Sequence, residues 1–318
     1  MMFLMDFFRM SMRRLLHILL LLFMVPISSH ANNILVLKRG AMSDYDRAVS
    51  GITDYFSQYG TDLQTDIKDI STFKGSLSTL LSGNPDVILT IGTKVTKLIK
   101  EQAPNQKIVF VMAYEPYSNK ILDQEGQPTA TITGVTADIP IEQELNHFQQ
   151  MLPEAKRIGV LYNNNHSHEF ITELTEKANS RGLEVVGIDV ESSRNVPTAL
   201  KQIENNIDVF WIVADPTILE RNSRKQIMLF WIKKNIPIVG IAANYVKAGA
   251  LYCVSIDSYE AGQQAARMCA GVVDGLGPVD IPIESPNKFK VVYNSEAAGK
   301  LSIKIPVEVI QTGQSISK

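Results

Sequence analysis

Two cysteines, two tryptophans and five histidines are all that this chain of 318 residues holds of the side chains most often recruited for covalent, redox and metal chemistry. The motifs that would make up for so few are missing too: there is no G-x-S-x-G elbow, P-loop, H-E-x-x-H or G-x-G-x-x-G. That leaves little support for an exported enzyme. Beyond the N-terminus no apolar run approaches the roughly 20 residues that a membrane helix needs. Positive charge is not in excess either. The formal net charge is -2, and it grows more negative once the basic N-terminus is set aside, which disfavours nucleic acid or an anionic membrane surface and fits a small solute.

What is present begins with a leader. Arg9, Arg13 and Arg14 form a basic stretch, Leu15 to Val25 an apolar run interrupted by His17, and Pro26, Ser29 and Ala31 a small-residue cleavage site. These are the three parts of a secretory signal peptide, cleaved after Ala31 to leave Asn32 first. No cysteine follows it, which excludes lipid attachment there and points to a freely soluble, periplasmic product. In an oxidising compartment Cys253 and Cys269 allow one disulfide, while their apolar neighbours favour two buried thiols. The mature chain is long enough for two domains of roughly 140 residues each.

Along it, β-branched runs alternate with helical segments, the pattern of parallel βαβ units, so the fold class is α/β. Ile34 to Leu37 reads as a buried strand, and Ser43 to Tyr59 as a helix with Ala48, Ile52, Tyr55, Phe56 and Tyr59 at spacings of three and four. Strands follow at Val87 to Ile91 and Ile108 to Met112, with a helix from about Lys94 to Gln102 between them. The same order returns from Ile158 to Leu161 onward. NPDVILTIGT in the first half and NNIDVFWIVADPT in the second place an Asp-Val strand opening at nearly the same distance from the first strand of each half. The second half thus copies the first.

Two Rossmann-like, parallel-sheet lobes joined by a hinge are therefore expected, each offering a crevice at the carboxyl ends of its strands. Thr131 to Glu142, with Gly134 and Pro140, reads as the first crossing between them. The helix Ser258 to Gly275 reads as a return toward the first lobe. The expected division is residues 32–135 with about 258–290 in one lobe, and 136–257 with about 291–318 in the other.

RGAMSDYDRAVSGI after the first strand, the IGT turn, MAYEP, TGV, RIGVLYNNN, VADPT and DSYEAGQQAA occur in an order and spacing that resemble the ABC transporter substrate-binding proteins of the tryptophan/tyrosine-binding type. The resemblance spans nearly all of Asn32 to Lys318. It implies a type I periplasmic binding protein fold, capture of an amino acid or similar metabolite between the lobes, and delivery to a separately encoded permease in the inner membrane. The chain departs from the family's pattern with Glu115-Pro116 where Asp-Pro is common.

Candidate ligand contacts follow from the strand ends. Gly92 and Thr93 precede a helix, where backbone N–H groups suit a carboxylate; Thr93 serves equally as that helix's N-cap. Tyr114 offers an aromatic wall, and Glu115 an ammonium partner or a solvated loop carboxylate. In the second half Asn163, Asn165 and Ser167 offer amide and hydroxyl groups. Asp215 before Pro216 either caps the next helix or holds an ammonium. Ala243 and Asn244 end the following strand. His166 and His168 beside Glu169 raise a metal site, but ligands this close in sequence span a turn poorly; no metal and no cofactor is expected. Trp211 and Trp231 read as packing. The chain is expected to act as a monomer, and a ligand-sensing role docked to a membrane receptor is the alternative that the same cleft would serve.

Overall fold

The computed structural model describes residues 32–59 and 63–316; the signal peptide and its cleavage after Ala31 lie outside the described residues. Two open sheets organise the chain. The first holds β1 (Asn32–Lys38), β2 (Leu63–Asp69), β3 (Val87–Ile91), β4 (Ile108–Ala113) and β5 (Ile132–Thr136), all parallel, in the order β2-β1-β3-β4-β5. The second holds β6 (Arg157–Tyr162), β7 (Glu184–Asp189), β8 (Val209–Trp211), β9 (Ile238–Val239), β10 (Tyr252–Ile256), β11 (Phe289–Asn294) and β12 (Gln314–Ile316). Its order is β12-β11-β10-β9-β8-β6-β7, and only the β10–β11 pair is antiparallel.

Read from β7, the second sheet repeats the doubly wound order of the first and then adds two strands. Alternation along each strand decides which core a side chain joins. In β1, Ile34 and Val36 face the helices Ser43–Tyr59 and Ser258–Val273, while Leu35 and Leu37 face the helix Thr93–Gln102. In β8, Val209 and Trp211 join one core and Phe210 the other. Burial on both faces is what a parallel sheet requires, and it explains why these strands read as continuous apolar runs.

The repeated Asp-Val openings have matching roles. Asp86 Oδ2 accepts the Asn33 N–H at 2.8 Å, and Asp208 Oδ2 accepts the Arg157 N–H at 2.9 Å. At the opposite ends, Asp69 Oδ1 accepts from Gly40 N–H at 2.9 Å and Asp189 Oδ1 from Asn164 N–H at 3.0 Å.

The stretch Thr131 to Glu142 is only partly a crossing. Ile132 to Thr136 form the buried strand β5, and residues 137–140 alone connect to the helix Ile141–Met151. Gly134 decides this, because a Cβ there would lie 2.2 Å from the Phe110 carbonyl oxygen; the glycine admits a close strand rather than breaking one. The chain crosses again at Asp257, and a last time at residues 285–288 before β11. Between those crossings the helix Ser258–Val273 packs on Ser43–Tyr59, so closely that a Cβ on Gly262 would meet the Ala48 carbonyl oxygen at 2.2 Å. Cys253 and Cys269 are both free and buried, in different hydrophobic cores. Among the described residues no helix is long and apolar enough to cross a membrane.

Candidate functional site

The switch point of each sheet, where the strand order reverses, opens a crevice between β1 and β3 in one lobe and between β6 and β8 in the other. In the first lobe Gly92 stands at φ 89° and ψ 152° and caps the helix Thr93–Gln102 without a side-chain bond. Glycine is required twice over: the dihedrals are foreign to L-residues, and a Cβ would lie 2.3 Å from the Tyr45 hydroxyl. Behind it, the buried Thr90 and Thr96 hydroxyls bond at 2.8 Å, and Thr96 Oγ1 donates to the Gly92 carbonyl at 3.0 Å. Thr93 does not cap its own helix, because its Oγ1 accepts the Tyr114 N–H at 2.9 Å and so ties the ends of β3 and β4 together. The first-turn N–H groups of Thr93 and Lys94 find no acceptor among the described residues, as helix geometry leads one to expect.

The end of β4 is strained. Met112 and Glu115 lie at φ 59° and 39°, in the left-handed region that costs a non-glycine residue roughly 1–2 kcal/mol. A register shift between Val111 and Ala113 accommodates the first. For the second, the Glu115 N–H donates to Asp138 Oδ1 at 2.9 Å, and Asn119 Nδ2 donates to the carbonyls of Tyr114 and Glu115. Tyr114 is 42% exposed. Burial raises its pKa, as do the charges of Glu115, Asp138 and Glu144. Burial also raises Glu115, lifts Asp138 to about 6 against the Glu115 N–H that lowers it, and lifts Glu144 to about 8. None of these three carboxylates forms a salt bridge among the described residues.

The second lobe's edge is closed. Asp215 is fully buried: Oδ2 accepts from the Asn163 N–H and the Ser167 hydroxyl, both at 2.7 Å, and Oδ1 from the N–H groups of Thr217 at 2.8 Å and Ile218 at 3.3 Å. It is the N-cap of the helix Pro216–Leu219, with Pro216 at the first position. Asn163 is consumed as well: Oδ1 accepts from the Asn165 N–H, and Nδ2 donates to Thr217 Oγ1 and the Glu191 carbonyl. Of the second-half candidates, Asn163, Ser167 and Asp215 therefore form one inward network. Asn165 and Asn244 are exposed and Ala243 half-buried, and neither Ala243 nor Asn244 joins that network. His168 Nδ1 lies 2.8 Å from Asn164 Oδ1 at the helix start.

Three residues near these strand ends escaped the sequence reading: Tyr45, Asp138 and Glu144. Asp138 lay in a stretch read as a linker. Glu144 had a signal, since it falls on the apolar stripe of Ile141, Leu145 and Phe148, where a carboxylate is out of place. Its charge reaches Tyr114 at the end of β4 and both Tyr252 and Cys253 on β10. Cys253 also feels Asp44 of the first lobe.

Two doubly wound lobes joined by three crossings define the type I periplasmic binding protein fold. Residues 46–316 match the family described as ABC transporter substrate binding protein, and the chain belongs to that family. A tyrosine-binding protein of Clostridioides difficile (strain R20291) is 24% identical over 245 residues, covering 76% of this chain and 70% of its own. An ABC domain from Streptococcus pneumonia, solved in complex with L-Trp, is 23% identical with a TM-score of 0.61, covering 89% of this chain and 99% of its own. A ligand-free, open substrate-binding protein with adhesive properties from Clostridium difficile reaches a TM-score of 0.74 at 18% identity, over 90% and 99% of the two chains.

Proposed function

We propose that this protein is the periplasmic solute-binding component of an ABC importer, capturing an amino acid or related amine-bearing metabolite between its lobes and presenting it to an inner-membrane permease. The observation that carries this reading is the pairing of opposites at one edge. Orphan N–H groups at Thr93 and Lys94 suit a carboxylate, and Glu115 and Asp138, without cation partners, suit an ammonium. Tyr114, 42% exposed between them, supplies a flat wall with a polar tip, which favours an aromatic side chain. The tyrosine-binding relative and the L-Trp complex point the same way. The lobes move as units about their three crossings, and solute contacts made only when they close shift the population toward the closed form. The signal peptide delivers the chain, a monomer, to the periplasm.

The test is thermal unfolding of the mature chain, refolded to strip carried-over solute, against a panel of amino acids, amines, sugars and purines. A solute at a hundred times its Kd adds about 2.7 kcal/mol. A rise in Tm of several degrees confined to amino acids supports the reading; a rise confined to sugars or purines overturns it.

A further inference from the structure

Away from the strand ends, Arg47 and Lys290 come from different lobes and line one cavity of about 540 Å³ beside the crossings. Arg47, on the helix Ser43–Tyr59, is its contribution from the first lobe; His147 of the helix Ile141–Met151, Lys290 of β11 and Gln314 of β12 come from the second. Asp257 and Lys288 line it from the second and third crossings, which are themselves joined by the Asp257 N–H donating to the Lys288 carbonyl at 2.9 Å. None of the candidate solute contacts lines this space.

Its lining is one-sided in charge. Four basic side chains, Arg47, His147, Lys288 and Lys290, meet a single carboxylate, Asp257. That carboxylate is already engaged, because its Oδ1 caps the helix Ser258–Val273 by accepting the Tyr259 N–H at 3.0 Å, and Arg47 Nη2 reaches the same oxygen only at 3.5 Å. Lys288 is paired with Glu260 at 2.5 Å. Lys290 forms no salt bridge among the described residues. A recess lined by one sign of charge concentrates counter-ions. The shape of the counter-ion follows from where the cations stand: a carboxylate offers two oxygens in one plane, whereas a tetrahedral oxyanion presents acceptors on every side and suits donors on separate elements, the arginine fork above all.

We propose that this cavity binds a tetrahedral oxyanion of the phosphate class, held by Arg47 from the first lobe and Lys290 from the second, with His147 and Lys288 around it. It is a second site, independent of which solute the cleft takes. The volume leaves room beside one phosphate for bridging water or for the organic part of a monoester. Because the holders sit on different lobes, hinge motion alters their spacing, and occupancy of this site is linked to the arrangement of the lobes.

The experiment is isothermal titration and thermal unfolding of the mature chain with sodium phosphate, at fixed pH and with ionic strength held constant by sodium chloride. Wild type, Arg47→Gln, Lys290→Gln and Lys233→Gln are compared; Lys233 is an exposed lysine of the helix Arg221–Lys234 that lines no part of this cavity, and its loss changes the net charge equally. The expected result is one phosphate per chain with a saturable rise in Tm of a few degrees. Affinity falls about tenfold in Arg47→Gln and in Lys290→Gln, the size of one charge-assisted hydrogen bond at a partly exposed site, and is unchanged in Lys233→Gln. The wild-type stoichiometry stands even if a variant fails to fold. No saturable binding by the wild type, binding that survives both Arg47→Gln and Lys290→Gln, or equal weakening in Lys233→Gln overturns the inference. Vesicles of phosphatidylglycerol form the last arm: sedimentation with them, and no response to free phosphate, overturns it in favour of a lipid headgroup.

Discussion

The two lobes begin alike and end differently. Four aspartates are interchangeable between them: at the amino ends Asp86 and Asp208 each anchor the first strand of their sheet, and at the opposite ends Asp69 and Asp189 each close the loop beyond it. At the carboxyl ends the second lobe satisfies its polar groups internally through Asp215, while the first leaves N–H groups at Thr93 and Lys94 open and holds Glu115 in a left-handed conformation. On the proposed reading, two copies of one architecture are specialised, one edge as a rigid anvil and the other as the contact surface. A buried network with every member satisfied stiffens its lobe. Unsatisfied groups and strain at the other edge are what a ligand can repair.

Substitution at Asp215 tests this contrast hardest. Asp215→Ala strands buried donors from Asn163, Ser167, Thr217 and Ile218, and should lower stability by about 3 kcal/mol or more in urea unfolding. Solute affinity per folded molecule should hardly change. An unchanged midpoint with lost affinity would reverse the roles assigned to the two edges. Gly92→Ala comes next, at about 2 kcal/mol of stability from backbone strain, and it should also weaken binding because Tyr45 and the first turn of the following helix must shift. Equal stability in that variant would mean that the turn is not constrained by Tyr45.

The pH dependence follows from the raised carboxyls. The folded chain keeps protons on Asp138 to about 6 and on Glu144 to about 8 that the unfolded chain releases near 3.8 and 4.5. Their contribution to stability is full below the unfolded values and is lost as pH rises through the folded ones. Glu144→Gln should therefore gain on the wild type between pH 5 and 9, read as the difference in unfolding free energy at each pH. A difference independent of pH would place Glu144 in water. The smallest effect is expected from Thr93→Val, about 1 kcal/mol in stability, because it removes a single acceptor for the Tyr114 N–H.

Much of this was legible in the residue order. Paired Asp-Val openings gave the duplication, Asp215-Pro216 offered the cap that it forms, and Gly92 marked the turn before its helix. Four strands were missed, β2, β5, β11 and β12, the first two for local reasons. Leu63 to Asp69 lies at a sheet edge with Asp66 and Lys68 in its run, so it lacks the apolar signature of its neighbours. Ile132 to Thr136 carries a glycine that reads as a break and serves as a close approach. The site was harder, because which carboxylate faces which is a tertiary fact. Tyr114 and Glu115 were chosen from strand-end position alone, whereas the neighbours of Glu144 are set only when its helix packs in one core with β10.

Hydrogen exchange of the mature chain with and without saturating L-tyrosine tests the asymmetry of the two edges most directly. The account expects new protection at residues 92–95, 113–119 and 138–145, with no change at 215–218, whose N–H groups at 217 and 218 are already held by Asp215 in the empty protein. Protection centred on 163–167 and 215–218, with 113–119 unaffected, would contradict it.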